Sequence, residues 1–307
     1  MSQLRPADDS PPSGNAVDVD AALLRTWPLP QPGEGGKAAR GDVLVVGGTV
    51  QTPGAVVLAG LAALRAGAGR LKIATAEPVA AHVALAVPEA RVIALPADET
   101  GAIAAHSVEK ALAPALGNMD AVLIGPGSLG PDETAPWLES ILPAIDGATV
   151  VIDANAAVAL AQRSRPLKAV EGRAILVPNP VEAASMLDVD PEVIDEAPGD
   201  AAVKLSMQFG AVVAVRSPET WITAGPAPLY RDRSGNPGLG TSGSGDVASG
   251  IITGLAARGA DALQAAVWGV HVHGTAGERL ARRIGPVGFL ARELLDEIPG
   301  VLASLTP

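Results

Sequence analysis

Short, largely apolar runs recur along this chain, most of them closed by glycine, proline or an acidic residue. They are Val43-Leu-Val-Val46, Leu71 to Ala74, Ala121 to Ile124, Thr149-Val-Val-Ile152, Ala174-Ile-Leu-Val177 and Ala211 to Val215. Runs of this length without polar alternation read as buried strands. Between them lie longer Ala/Leu segments of helical character: Ala55–Ala66 before Gly67 and Gly69, Val79–Val87, Thr134–Ile141, a segment after Asn155 and another after Pro180. In the third of these, Pro136 is expected in the first turn, where proline is tolerated. Strands separated by helices predict βαβ units and a mainly parallel sheet, an α/β fold. A short helix is expected over Ala21–Arg25 and a hairpin over Thr220–Tyr230 with Gly225 near its turn. The last third differs, with successive helices over Gly245–Ala257, Leu263–Leu280 and Phe289–Leu302. Residues 1–16, rich in Pro, Ser, Asp and Gly, read as a flexible tail, and 17–307 as a single domain.

Composition narrows the function. With 33 acidic against 22 basic residues the net charge is −11, and aromatic residues are 2% of the chain. This speaks against nucleic acid as a partner, because neither a phosphate-attracting surface nor stacking platforms are available. There is no cysteine, which removes disulfides, thiolate metal sites and a thiol nucleophile. Mean hydropathy is positive at +0.30, yet the longest apolar stretch, Gly54 to Leu64, stops at Arg65, well short of the roughly 20 residues a spanning helix needs. The N-terminus MSQLRPADDSPPSG has no basic-then-apolar pattern. No membrane partner and a cytoplasmic location are therefore expected.

The stretch richest in chemistry is Gly235-Asn-Pro-Gly-Leu-Gly-Thr-Ser-Gly-Ser-Gly-Asp246, which runs straight into the apolar helix beginning Val247-Ala-Ser-Gly. A glycine run entering a helix presents free N–H groups at the positive end of the dipole, a ready site for an anion. Asp246 in the first turn stands beside any such anion and can take a proton from a hydroxyl attacking a phosphoryl group. The same residues also suit a plain surface turn with Asp246 favouring the helix start.

Two further glycine loops close strands, Gly47-Gly-Thr-Val-Gln-Thr-Pro-Gly54 and Gly125-Pro-Gly-Ser-Leu-Gly130. Ligands of open α/β sheets gather at the carboxyl ends of strands, where these loops stand. Neither carries the Lys-Ser/Thr of a P-loop, and Gly125–Gly130 lacks a well-placed ribose-binding acid downstream, which disfavours Walker-type NTPases and dinucleotide dehydrogenases. Asn179-Pro-Val-Glu182 follows a strand. Glu182 there either holds Mg²⁺ through water or simply favours a helix start with Pro180 at its first position. His271 and His273, two apart on a helical stretch, do not share a face and make a poor metal pair. No G-x-S-x-G elbow is present.

In order along the chain, these pieces resemble the NAD(P)H-hydrate dehydratase family of the ribokinase-like superfamily. The resemblance runs from about Val17 to Leu302. It rests on Leu24-Arg-Thr-Trp-Pro-Leu-Pro30 with Lys37 and Arg40-Gly41, on Gly47-Gly48-Thr49 with Gly54-Ala55 and Ala63–Gly69, on Pro88-Glu89, Gly125-Pro-Gly127 and Asp153-Ala154, and most specifically on Gly235–Asp246 followed by His273-Gly-Thr-Ala-Gly277. It implies a ribokinase-like three-layer αβα fold with a helical C-terminal segment. It also implies a repair lyase that dehydrates hydrated NADH or NADPH with ADP, less favoured ATP, as phosphoryl donor and Mg²⁺ as cofactor.

By the same resemblance Asp246 deprotonates the substrate hydroxyl, while the N–H groups of Gly243, Ser244 and Gly245 stabilise the transferring phosphoryl group. Arg216, Ser217, Gly240, Thr241, Ser242 and Gly245 hold the nucleotide. Gly48, Thr49, Ala55, Gly127, Asn179 and Asp246 hold the hydrated substrate, with Glu182 the candidate metal residue. The sequence departs from the family pattern at Asn155, Val177, Asn179, Arg216 and Ser242. Asn179 recreates the Asn-x-x-Glu of sugar kinases, so phosphorylation of a small alcohol is the alternative activity. A homo-oligomer is expected from apolar helix faces, and epimerisation of the hydrate from a separate protein.

Overall fold

The computed structural model describes residues 16–31, 33–106, 108–153, 155–161 and 166–306. Nearly all of the expected tail, and Ala154, lie outside them.

Ten strands form one sheet in the order β1-β10-β9-β8-β7-β6-β5-β2-β3-β4. The parallel part comprises β2 (Asp42–Val46), β3 (Arg70–Ala76), β4 (Ala90–Leu95), β5 (Ala121–Ile124), β6 (Thr149–Ile152), β7 (Ala174–Leu176) and β8 (Val212–Arg216). The hairpin β9 (Thr220–Thr223) and β10 (Leu229–Asp232) adds two antiparallel pairings, and β1 (Val17–Val19) lies parallel to β10 at the edge.

Alternate residues of each central strand enter opposite cores, which is why these strands carry no polar face. Val43 and Val45 join one core with α2 (Pro53–Arg65), α10 (Ser244–Ala257), α11 (Ala262–Arg283) and α12 (Ala291–Leu305). Leu44 and Val46 join the other with α4 (Val108–Leu116), α5 (Pro131–Ile141), α6 (Asn155–Ala161), α7 (Pro180–Leu187) and α9 (Pro198–Phe209). The architecture is thus three layers, αβα, as expected; α1 (Ala21–Thr26), α3 (Glu77–Ala86) and α8 (Pro191–Glu196) complete the helices.

Most expected elements stand within a few residues of their sequence limits. The exception in kind is α5. It begins at Pro131, because Thr134 bonds Gly130 O through both its N–H (3.2 Å) and its hydroxyl (2.8 Å). Pro131 therefore holds the first-turn place expected for Pro136, which sits inside the helix. The strands β1 and β4 and the helices α4, α8 and α9 had no counterpart in the sequence reading.

The strand order reverses between β2 and β5: the chain moves outward through β3 and β4, then returns to build β5 to β8 on the other side. A crevice opens outside the carboxyl ends of strands at such a reversal. Both adjoining strands end there in a glycine loop.

Candidate active site

Gly48 N–H donates to Pro126 O at 2.8 Å, joining the loop after β2 to the loop after β5. The Thr52 hydroxyl donates to Gly127 O at 2.8 Å and lies 3.1 Å from the Thr49 hydroxyl. A Cβ on Gly127 would stand 2.9 Å from that of Ala55. These contacts bring Gly48, Thr49, Ala55 and Gly127, expected together from sequence, into one cluster beside the strand-order reversal.

The glycine run ends in α10, whose first turn carries Asp246. Gly250 and Gly254 place α10 directly against the α2 backbone at Ala59 and Ala63, an approach that side chains there would forbid. Gly243 lies against Leu58 in the first half of α2, so the start of α10 stands beside that of α2.

Asp246 accepts no hydrogen bond from any described residue. Burial is the main cause that raises its carboxyl to about 7, with further push from Asp153 and Glu182; Arg216 opposes them. Asp153 itself is buried at the end of β6, where its Oδ2 accepts from the Ser249 hydroxyl of α10 at 2.5 Å and its Oδ1 lies 3.5 Å from Arg216 Nη2. These contacts tie α10 to the sheet beside the reversal.

Arg216 closes β8. Its Nε donates to Val177 O at 3.1 Å, and its own N–H donates to Pro178 O at 2.9 Å. Nη1 stands 2.7 Å from the place of a Cβ on Gly245. A guanidinium therefore lies over the positive end of α10, and the two charges favour an anion together.

On the far side of Arg216 a cleft of about 670 Å³ is lined by Arg216, Ser217, Gly240 and Ser244, among others, and by Val270 and His273 of α11. Thr241 and Ser242 continue the same loop without lining it. Of the three N–H groups expected at the phosphoryl group, that of Ser244 is already engaged, donating to Thr241 O at 3.1 Å. Those of Gly243 and Gly245 make no hydrogen bond among the described residues.

Asn179 and Glu182 form a reciprocal capping box at the start of α7: Asn179 Oδ1 accepts from Glu182 N, and Glu182 Oε2 from Asn179 N, both at 2.9 Å. The sugar-kinase-like pattern is thus accounted for by local helix chemistry. Glu182 is raised from its ordinary value by burial, then by Asp153. Among the described residues no group of three or more His, Cys, Asp or Glu could hold a metal on its own. A cation that keeps waters and binds chiefly through phosphates fits such a donor set; a metal needing a full protein cage does not.

Sequence reasoning gave Asp153 no role, and it passed over Ser249. The signal for Asp153 was its place directly after an apolar strand, the position at which open sheets present functional groups. Among the described residues no helix is long and apolar enough to cross a membrane.

Comparison with known proteins agrees with this geometry. The family model described as NAD(P)H-hydrate dehydratase matches residues 43–300. An ADP-dependent (S)-NAD(P)H-hydrate dehydratase of Xanthomonas campestris is 47% identical over 290 residues, 94% of this chain and 96% of that protein. A bifunctional NAD(P)H-hydrate repair enzyme of Moorella thermoacetica is 35% identical over 94% of this chain, which spans about half (54%) of that relative's length. The crystal structure of an ADP/ATP-dependent NAD(P)H-hydrate dehydratase from Bacillus subtilis, co-crystallised with ATP and Mg²⁺, superposes with a TM-score of 0.79 at 27% identity, covering 95% of this chain and 100% of that one. The shared architecture is the ribokinase-like αβα fold. Through sequence along almost its whole length, and through a fold that sets an acidic first turn beside the strand-order reversal, the chain belongs to the NAD(P)H-hydrate dehydratase family.

Proposed function

We propose that this chain dehydrates hydrated NADH or NADPH back to the reduced dinucleotide, with ADP as phosphoryl donor. The observation that carries the reading is the state of Asp246: a carboxyl with no hydrogen-bond donor among the described residues, raised to about 7, in the first turn of α10 and electrostatically coupled to the Arg216 guanidinium. A general base works best with a pKa near the operating pH.

Asp246 takes the proton of the hydrate's hydroxyl, whose oxygen attacks the terminal phosphorus of the nucleotide as the phosphoanhydride bond breaks. The N–H groups of Gly243 and Gly245, the α10 dipole and Arg216 hold the charge of the transferring group. The phosphorylated oxygen then leaves as phosphate, driven by the ring nitrogen's lone pair, and loss of the neighbouring ring proton restores the dihydropyridine. Gly48, Thr49, Ala55, Gly127 and Asn179 form the substrate side. Arg216, Ser217 and the 240–245 loop form the nucleotide side.

Mg²⁺ bound with the nucleotide would offset phosphate charge, with Glu182 and Asp153 the carboxylates able to receive its waters. Residues 17–307 acting as one domain, a cytoplasmic location, association of several copies and a separate epimerase belong to the same proposal.

The test uses purified protein, hydrated NADH, Mg²⁺ and either ADP or ATP, and follows recovery of the reduced-nicotinamide absorbance. Nucleotide-dependent recovery that disappears in Asp246→Asn is expected. Absence of recovery from folded protein that binds nucleotide would overturn the reading, and a screen of small alcohols for phosphorylation would follow.

A further inference from the structure

The cleft beside Arg216 contains a histidine that the proposed chemistry leaves unused. His273 of α11 lines it, and the Nε2 of the ring lies 2.9 Å from the Ser244 hydroxyl at the start of α10. Nδ1 makes no hydrogen bond among the described residues. The neighbouring histidine is differently occupied: His271 Nδ1 pairs with the buried Asp232 Oδ2 at 2.7 Å. Asp232 in turn accepts from the N–H (2.8 Å) and hydroxyl of Ser234, another residue of the cleft wall. Each of these two histidines thus has one ring nitrogen with a partner, but only His273 lines the cleft.

Burial, then the positive charge of Arg216, lowers His273 to about 4, so the ring is neutral at ordinary pH. A neutral imidazole has one donor and one acceptor nitrogen, and the partner of one fixes the role of the other. In the tautomer whose Nε2 accepts from Ser244 Oγ–H, the proton resides on Nδ1.

We propose that His273 is a nucleotide-positioning residue with two separable tasks: Nε2 holds Ser244 and so sets the start of α10, and Nδ1–H donates to an acceptor atom of the bound nucleotide. The assignment rests on the reading of this cleft as the nucleotide site. Ser244 lies between Gly243 and Gly245, whose N–H groups face the phosphoryl group, so the first task acts on turnover. The second acts on nucleotide affinity.

The two tasks are separated by two substitutions. Glutamine places its terminal amide near the position of Nε2, and asparagine near that of Nδ1. His273→Gln is expected to raise the apparent KM and the directly titrated Kd for ADP about tenfold, about 1.4 kcal/mol of binding free energy, with kcat at saturating ADP within about twofold. His273→Asn is expected to show the converse: Kd for ADP within about twofold and kcat lowered about tenfold. Equal effects of the two variants on one parameter, or no effect of either, overturn the proposal.

Should either variant fail to fold, ¹⁵N spectra of the parent's imidazoles with and without ADP decide the matter. A protonated Nδ1 that shifts on ADP binding while Nε2 remains an acceptor supports the assignment, and a Nδ1 unmoved by ADP overturns it. A parent that binds ADP without repairing the hydrate removes the proposed function while leaving this inference testable. A parent that binds no adenine nucleotide removes both.

Discussion

Gly48 and Pro126 are joined by a 2.8 Å hydrogen bond, N–H to carbonyl, across the point where the strand order reverses. Gly48 has φ +74°, and a Cβ there would meet the Thr75 hydroxyl oxygen at 2.5 Å and both methyls of Val56 at 3.1–3.2 Å. Gly48→Ala therefore combines a left-handed backbone cost with a clash against buried groups, about 2 kcal/mol or more in sum. Urea unfolding should show that loss, and the KM for the hydrate should rise more than that for ADP, because this loop lies on the substrate side. A variant with parental stability and parental KM for the hydrate would remove the loop from the substrate wall.

The rate should depend on pH through Asp246. The base works only when deprotonated, and its carboxyl is held near 7 in the free protein. The profile of kcat/KM, which reports the free enzyme, should fall on the acid side with a midpoint near 7. Steady-state rates from pH 5 to 9 check it; a flat profile down to pH 5 would exclude Asp246 as the base.

Stability should respond to the same group with a defined sign. Asp246 binds its proton more tightly in the folded protein than in the unfolded chain, where its ordinary value is 3.8. Between those two values the folded state holds more protons, so stability falls as pH rises, and the full cost is reached above about 7. That cost is of the order of a few kcal/mol. Asp246→Asn, which carries no charge to desolvate, should melt above the parent at pH 8, and the difference should shrink toward pH 4. A gap that is constant with pH would contradict the raised carboxyl.

The layers of this molecule were legible because the central strands are apolar on both faces: Val43-Leu-Val-Val46 cannot be anything but covered on both sides. The edges were less so. In β1, Val17-Asp-Val19 is too short for a periodic signal, and it pairs only because β10 arrives from more than 200 residues away. The start of α5 lies earlier than its apolar pattern because the first helical bond runs from Thr134 N–H to Gly130 O, a contact no hydropathy pattern reveals. Within the site, Asp246 and the glycine loop were legible as a helix start, where the structure has them. What sequence did not reveal is how the neighbours set its chemistry. Asp153 and His273 lie on elements other than α10, and only the fold brings them to Arg216 and to Ser244 and Ser249 of that helix.

Arg216 should control both nucleotide binding and the acid limb, and two substitutions separate these roles. Its positive charge lowers the Asp246 carboxyl against the combined push of burial, Asp153 and Glu182. Removing the charge in Arg216→Met should therefore move the acid limb to higher pH, by about one unit for 1.4 kcal/mol of lost interaction. Arg216→Lys keeps a charge but not the planar fork that bonds Val177 O while lying over Gly245. The lysine variant should leave the limb near its parental position and raise the KM for ADP. Both variants lose the tie from β8 to Val177, so any effect on melting should be shared, whereas the shift of the limb should belong to methionine alone. Parental pH midpoints in Arg216→Met would show that the guanidinium does not set the state of the base.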